Sequence, residues 1–330
     1  MMMDLVVTRP EGLYCPPGGF YIDPWRAVDR AVITHAHADH ARSGHQHYLA
    51  AAAGAGVLRA RLGAINLQTL AYGECIEHNG VQVSLHPAGH VLGSAQVRLS
   101  YQGQVWVVSG DYKLASDPTC AAFEPVRCDT FITESTFGLP VYRWQEPGEI
   151  MQQINQWWQS NASERLPSVL YAYSLGKGQR VLADLERHVG PIVVHHSFET
   201  INQAYRDAGV SLPPTCHMDS LDTGSLQTAL VLVPPSAAGA TGLRRLGATR
   251  DAMVSGWMQI RGARRRRAVD RGFVMSDHAD WPGLLKAIDA TGAQRVIVTH
   301  GSTAVLIRWL NEKGLQAQRF QTEYGPEGDT

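Results

Sequence analysis

Short apolar runs rich in β-branched residues, closed by polar or glycine-bearing turns, recur along the first third of the chain. Residues 31–34, 81–86, 96–101 and 105–109 carry the pattern, several with alternating apolar and polar positions, and predict sheet strands. Tyr101-Gln102-Gly103-Gln104 lies between two of them and predicts a hairpin turn. A further buried strand is expected at 130–134. The pattern then changes to alternating helix and strand. A tryptophan-bearing helix is expected at 149–160, a strand at 169–173, and an amphipathic helix at 179–188 after the turn Gly176-Lys177-Gly178. A strand at 192–195, a helix at 199–208 and a strand at 229–233, ended by Pro234-Pro235, continue the series and predict a small parallel βαβ unit. From Gly272 the first style returns, with a strand at 273–275, a helix at 282–290, a strand at 295–299 and a helix at 303–313. The expected organisation is an α/β protein with a discontinuous first domain, 1–136 and 272–330, and an inserted α/β domain, 137–271. Residues 325–330 are expected to fray. No internal repeat is visible.

Composition narrows the class. The chain has 330 residues, 44% hydrophobic and 18% charged, which excludes disorder and suffices for two packed lobes. Met1-Met2-Met3-Asp4-Leu5 lacks the basic and apolar regions of a secretion signal, and no apolar run reaches about 18 residues. The longest candidate, 49–62, is an alanine- and glycine-rich stretch broken by Arg59 and Arg61. A soluble, cytoplasmic protein with no membrane partner is therefore expected. The five cysteines form no C-x-x-C pair, which argues against a zinc knuckle or disulfide framework and predicts mostly buried, reduced thiols. A net charge of −1 advertises no polyanion, yet nine arginines against two acids fall between Arg244 and Arg271. That segment is either a solvated face or the lining of a substrate groove.

The sharpest chemistry lies in Thr34-His35-Ala36-His37-Ala38-Asp39-His40, directly after an apolar strand. Three imidazoles and a carboxylate so close together converge only if the backbone turns sharply, as at a strand end. Imidazole suits zinc and related divalent ions, and the carboxylate can complete a second site. The bland alternatives are a surface histidine cluster or a helix start capped by Asp39. His90 follows the 81–86 strand, and Asp111, in Ser109-Gly110-Asp111, follows the 105–109 strand. Both can reach the same sheet edge. Gly176-Lys177-Gly178 before a helix reads equally as an ordinary turn or a phosphate cradle. Lys177, Arg264 and Arg265 are accordingly the candidate substrate contacts. Trp157, Trp158 and Trp257 could stack on bases, but their helical setting favours core. His45, His47, His86, His195 and His196 have no required role.

These residues resemble the metallo-β-lactamase fold, an αββα sandwich with metal ligands on loops at one edge. The resemblance implies that His35, His37 and His90 hold one metal, that Asp39 and His40 belong to the other, and that Asp111 bridges. It also makes Asp23 a supporting carboxylate, where the residues alone allow a simple Asp-Pro turn. Small hydrolases of this fold, such as glyoxalase II, the lactonases and the β-lactamases, reach their last histidine ligand without a large inserted lobe. Here His278 and His300 come after one, which resembles the β-CASP nucleases. Thr133-Glu134-Ser135-Thr136-Phe137-Gly138 resembles their motif A, Ser276-Asp277-His278-Ala279-Asp280 motif B, and Val298-Thr299-His300-Gly301 motif C. Tyr173-Ser174-Leu175-Gly176-Lys177-Gly178-Gln179-Arg180 resembles the turn that opens the first β-CASP helix. Gly12-Leu13-Tyr14-Cys15-Pro16, Ile22-Asp23-Pro24-Trp25-Arg26, Gly110-Asp111-Tyr112-Lys113, Ser255-Gly256-Trp257-Met258 and Asp277-His278-Ala279-Asp280-Trp281 look like the bacterial DNA-ligase-associated exonucleases. That likeness runs from about Gly12 to Phe320. His300 does not favour DNA, because RNA-cutting members share it while the cross-link repair nucleases usually carry valine.

The resemblance implies two divalent metals, Zn²⁺ or Mn²⁺, with Asp39, His40, Asp111 and His300 as a complete second set. His278 is then the general acid and Glu134 the carboxylate that orients its imidazole. The implied function is a metal-dependent DNA exonuclease that cuts phosphodiesters with a metal-activated hydroxide. It would act on single-stranded DNA or free ends, in repair beside a DNA ligase. The alternatives are a ribonuclease of the same architecture, a small-molecule ester or thioester hydrolase, and a silent binding subunit.

Overall fold

The computed structural model describes residues 3–260, 262 and 269–320. The chain divides into two compact units, Met1–Arg143 with His278–Thr330, and Trp144–Asp277. Residues 137–143 thus belong with the first unit and 272–277 with the second. The tail at 325–330 lies outside the described residues.

The first unit is an α/β sandwich. One sheet runs β1 (Val7–Arg9), β2 (Gly12–Cys15), β3 (Phe20–Ile22), β4 (Arg30–Val32), β5 (His47–Ala51) and β6 (Leu67–Leu70), in spatial order. The other contains β7 (Cys75–His78), β8 (Val81–Pro87), β9 (Ala95–Tyr101), β10 (Gln104–Val108) and β11 (Thr130–Thr133). It is completed by β17 (Arg295–Val298) and β18 (Gln316–Arg319), in the order β18-β17-β11-β10-β9-β8-β7.

Alternation along the central strands explains their unbroken apolar runs. Trp106 and Val108 of β10, Ile132 of β11 and Ile297 of β17 enter a core with Leu13, Phe20, Ile22 and Val32 of the first sheet. Their neighbours Val107, Phe131, Val296 and Val298 face the other way, onto Trp281, Leu284, Ile288, Leu306 and Leu310 of helices Trp281–Thr291 and Thr303–Glu312. A strand buried on both faces loses the polar half of its period.

Direction matters for the site. β10, β11 and β17 pair in parallel, and β8 runs with them because β9 is antiparallel to both β8 and β10. The carboxyl ends of β8, β10, β11 and β17 therefore open on one edge. In the first sheet β3 and β4 are parallel, and Ala95 N–H donates to the Thr34 carbonyl (2.8 Å). That bond ties the end of β4 to the start of β9, at the same edge.

The second unit holds a five-stranded parallel sheet of β12 (Ser168–Tyr171), β13 (Ile192–Val194), β14 (Leu230–Val233), β15 (Arg250–Val254) and β16 (Arg271–Phe273), ordered β13-β14-β12-β15-β16. Helix Pro147–Ser163 buries Trp157 and Trp158, which are core residues.

Several expectations need correction. The helix expected at 179–188 covers only Lys177–Ala183, because Asn155 takes over the backbone beyond it. Its amide donates to the Asp184 carbonyl (3.1 Å) and its oxygen accepts from Glu186 N–H (3.1 Å). The strand expected at 273–275 ends at Phe273, where the Met275 N–H turns back to the Phe273 carbonyl. Of the five cysteines only Cys15 is buried, and Cys75 is exposed on β7. No described helix is long and apolar enough to cross a membrane.

Candidate metal centre

Asp111 follows β10, Glu134 follows β11, His300 lies two residues past β17, and His90 sits in the turn after β8. Gly110, at φ 57°, makes the bend before Asp111, and a Cβ there would meet Thr34 Cβ and Oγ1 at 2.7 Å. Only glycine allows both the left-handed backbone and that approach. The His35–His40 segment closes on itself, with Ala41 N–H donating to the His37 carbonyl (2.8 Å). Ser94 Oγ accepts from His90 N–H (3.1 Å) and Val91 N–H (3.2 Å), which shapes the His90 turn.

Two groups of ligand-type side chains converge among the described residues: His35, His37, His90 and Asp111, and Asp111, Glu134 and His278. Within each group the ligand atoms lie within 4.8 Å of one another. His35 Nε2 and His90 Nε2 lie 3.1 and 3.0 Å from His37 Nδ1, and 3.4 and 3.7 Å from Asp111 Oδ2. A tetrahedral ion with bonds of about 2.0–2.2 Å needs donor atoms about 3.3–3.6 Å apart, so this set fits a divalent metal closely.

The second set is looser. His40 Nε2 lies 3.4 Å from the same Asp111 Oδ2 and 3.6 Å from Asp39 Oδ2. His300 stacks on His40 with ring centroids 5.3 Å apart, and its Nδ1 lies 2.9 Å from Thr299 Oγ1. Asp111 Oδ2 is thus common to both sets.

The electrostatics favour a cation. Burial, then the charge of His40, push His35 well below the usual imidazole value. Burial works against the charge of His40, yet Asp111, Asp39 and Asp23 hold it well above that value. Burial would raise Asp111, but His40 and His278 keep it well below the carboxylate range. Burial, with His40 adjacent, pushes His300 down to about 4. Neutral imidazoles beside ionised carboxylates are the donor state that a metal requires; His35 and His300 already meet it, whereas His40, held protonated by its three carboxylates, would release a proton on binding.

Two carboxylates hold ligand-type histidines from behind. Asp23, with φ 44° after β3, accepts from Thr34 N–H (2.7 Å) and Thr34 Oγ1 (2.5 Å), and its Oδ2 lies 2.7 Å from His40 Nδ1. Glu134 places both oxygens on His278 Nδ1, at 3.2 and 3.0 Å, and accepts from Tyr112 N–H (2.8 Å). Asp280 caps helix Trp281–Thr291 by accepting from Gly283 N–H (2.9 Å).

The expected substrate contacts fare differently. Lys177 lies in the second unit with its ammonium buried, 3.7 Å from Asp277 Oδ2 and over the ring of Tyr173. Arg264 and Arg265 lie outside the described residues. One residue stands at the site without having been expected there. Arg61, at the end of helix Ala55–Leu62, donates Nη1 to the carbonyls of Ala36 and Ala41.

No family model matches the chain. It is 32% identical over 315 residues to a protein named probable DNA ligase from Opitutus terrae, covering 94% of this chain and 30% of that one. It is 28% identical over 135 residues to cleavage and polyadenylation specificity factor subunit 3 of Dictyostelium discoideum, covering 39% and 17%. Endoribonuclease YSH1 of Kluyveromyces lactis matches at 27% over 124 residues, covering 37% and 16%. The chain spans less than a third of the length of each of these curated relatives. A crystal structure of a protein of unknown function from Enterococcus faecalis V583 shares the fold, with a TM-score of 0.59 over 90% of this chain and 80% of that one, at 11% identity.

Proposed function

We propose that the chain is a metal-dependent phosphodiesterase that trims DNA ends where a ligase acts. The observation that carries the reading is Asp111 Oδ2, set within 3.4–3.7 Å of His35, His40 and His90 at the edge where the strands end. His35, His37, His90 and Asp111 would hold one divalent ion, and Asp39, His40 and His300 with the shared Asp111 a second. When bound, such ions supply Lewis acidity: they bring the pKa of water toward neutral and offset charge on the phosphate oxygens.

The chain's own groups do the rest. Asp23 holds His40 by Nδ1, leaving Nε2 to face Asp111 and Asp39. Glu134 holds His278 by Nδ1, so the proton that His278 can transfer sits on Nε2. From there it goes to the leaving oxygen, which otherwise departs as an alkoxide. DNA as substrate is supported by the match, over nearly the whole chain, to a protein named as a ligase.

A ribonuclease reading has its own support, because the fungal relative is named an endoribonuclease. End-labelled single-stranded DNA and matched RNA, incubated with protein loaded with Mn²⁺ or Zn²⁺, separate the two. Faster cleavage of RNA overturns the DNA assignment. Cleavage of neither polymer overturns the nuclease and favours a small ester. Asp111→Ala is expected to lose bound metal and all cleavage together.

A further inference from the structure

We propose that Arg61 is a positioning residue of the metal centre, through which one short helix sets the distance between its two histidine-bearing loops. The inference rests on the metal-centre reading above and deepens it.

Helix Ala55–Leu62 touches both loops. At its carboxyl end the half-buried Arg61 reaches out with Nη1, which donates to the Ala36 carbonyl and, at 3.3 Å, to the Ala41 carbonyl. Ala36 and Ala41 are buried and bracket His37, Asp39 and His40, so one guanidinium grips the turn at both ends. At the amino end, Gly54 lies against Gly93, in the turn that carries His90. A Cβ on Gly93 would meet Gly54 Cα at 2.1 Å and N at 2.3 Å. Two backbones that close admit no adjustment of one loop without the other. The helix therefore spans from the His90 turn to the His35–His40 turn, and Arg61 is its attachment to the second.

The choice of arginine follows from geometry. Both bonds come from one nitrogen, Nη1, whose two N–H groups are fixed in the guanidinium plane, whereas an ammonium rotates on a flexible stem. Arg61 also sits in the field of Asp39, which opposes the effect of burial on its charge. Groups that orient ligands from behind typically change metal affinity about 10- to 100-fold when removed.

Metal affinity measured by competition with a chromogenic chelator tests the proposal, together with kcat and KM on single-stranded DNA. Arg61→Met is expected to weaken metal binding about 10- to 100-fold and to lower kcat while KM changes little. Arg61→Lys should fall between it and the wild type. Arg59→Met, an exposed charge loss on the same helix, should match the wild type in both readouts. Wild-type metal affinity in Arg61→Met overturns the proposal, as does an equal loss in Arg59→Met. If Arg61→Met fails to fold by circular dichroism, Arg61→Lys decides, and wild-type affinity and kcat in that variant overturn it. The chelator readout needs no substrate. A wild type that binds metal and cuts nothing therefore defeats the nuclease reading without deciding Arg61, whose affinity test still runs.

Discussion

Replacing Asp23 by asparagine changes two atoms' worth of chemistry and almost no volume, and it should invert the tautomer of His40. Asp23 Oδ1 accepts from Thr34 N–H, so the asparagine oxygen must occupy that place and its NH₂ must replace Oδ2. The NH₂ then faces Thr34 Oγ1 and His40 Nδ1. The hydroxyl can rotate and accept. The imidazole, held protonated in the metal-free protein, can accept only by giving up its Nδ1 proton, which leaves the remaining one on Nε2, the atom that lies 3.4 Å from Asp111 and 3.6 Å from Asp39. A protonated Nε2 is no ligand. Exchanging charge-assisted hydrogen bonds for neutral ones should cost the metal-free protein about 1–2 kcal/mol. Metal affinity at the Asp39–His40 set should fall about 10- to 100-fold, or about 1.4–2.7 kcal/mol, while the His35–His37–His90 set is spared. Chelator competition resolved into two phases, with urea unfolding of the metal-free protein, measures both. Thr34→Val supplies the opposite comparison: it leaves the Asp23–His40 contact but removes the hydroxyl that lies 3.1 Å from His35 Nδ1, so any loss of affinity should fall on the His35–His37–His90 set and not on the Asp39–His40 set. Two ions bound by Asp23→Asn with wild-type affinity, or equal loss at both sets, would refute the tautomer reasoning.

His278→Ala should keep its metals and lose about 10²–10⁴ in kcat, as for removal of a general acid; normal cleavage would show that the proton comes from elsewhere. Gly110→Ala forces a Cβ to 2.7 Å from Thr34 at φ 57°, and should destabilise the protein by about 2–4 kcal/mol in urea unfolding. In the metal-free protein His300 is held down at about 4, against an ordinary 6.5. The unfolded chain therefore takes up that proton first, and stability is lost as pH falls below about 6.5, by as much as about 2 kcal/mol at pH 5. His40, held high, contributes the opposite trend. The comparison that isolates His300 is therefore wild type against His300→Val at pH 7 and pH 5, where a difference that does not change with pH would contradict the assignment.

Much of the site was legible because its side chains follow central strands. β10, β11 and β17 are buried on both faces, so their apolar runs stand out, and Asp111, Glu134 and His300 sit at or just beyond their ends. Strands at the margins left weaker signals. β7 alternates between exposed and half-buried positions, and β6 buries only Leu70, so neither offers a run to detect. β5 hides in the alanine-rich stretch that continues into helix Ala55–Leu62. Arg61 had no periodic or motif signal, since its meaning lies in carbonyls 20 and 25 residues away. The surroundings of Lys177 were hidden by distance too. A lysine between two glycines suggests exposure, but Asp277, 100 positions later, provides the partner that allows its burial.

The parallel pairing of β11 with β17 has a consequence for synthesis on the ribosome. β11 ends at Thr133, and the strand that covers its outer edge begins only at Arg295. At about 5–20 residues per second, the intervening segment of roughly 160 residues takes about 8–30 s to emerge. Through that interval the nascent chain carries a central strand with one edge unpaired and apolar residues on both faces, of the kind that recruits other chains. The second unit is made entirely within this window. Its rate of translation is thus a determinant of how long the first unit stays exposed to chaperones and to aggregation, and slowing codons between Thr133 and Arg295 should lower the soluble yield.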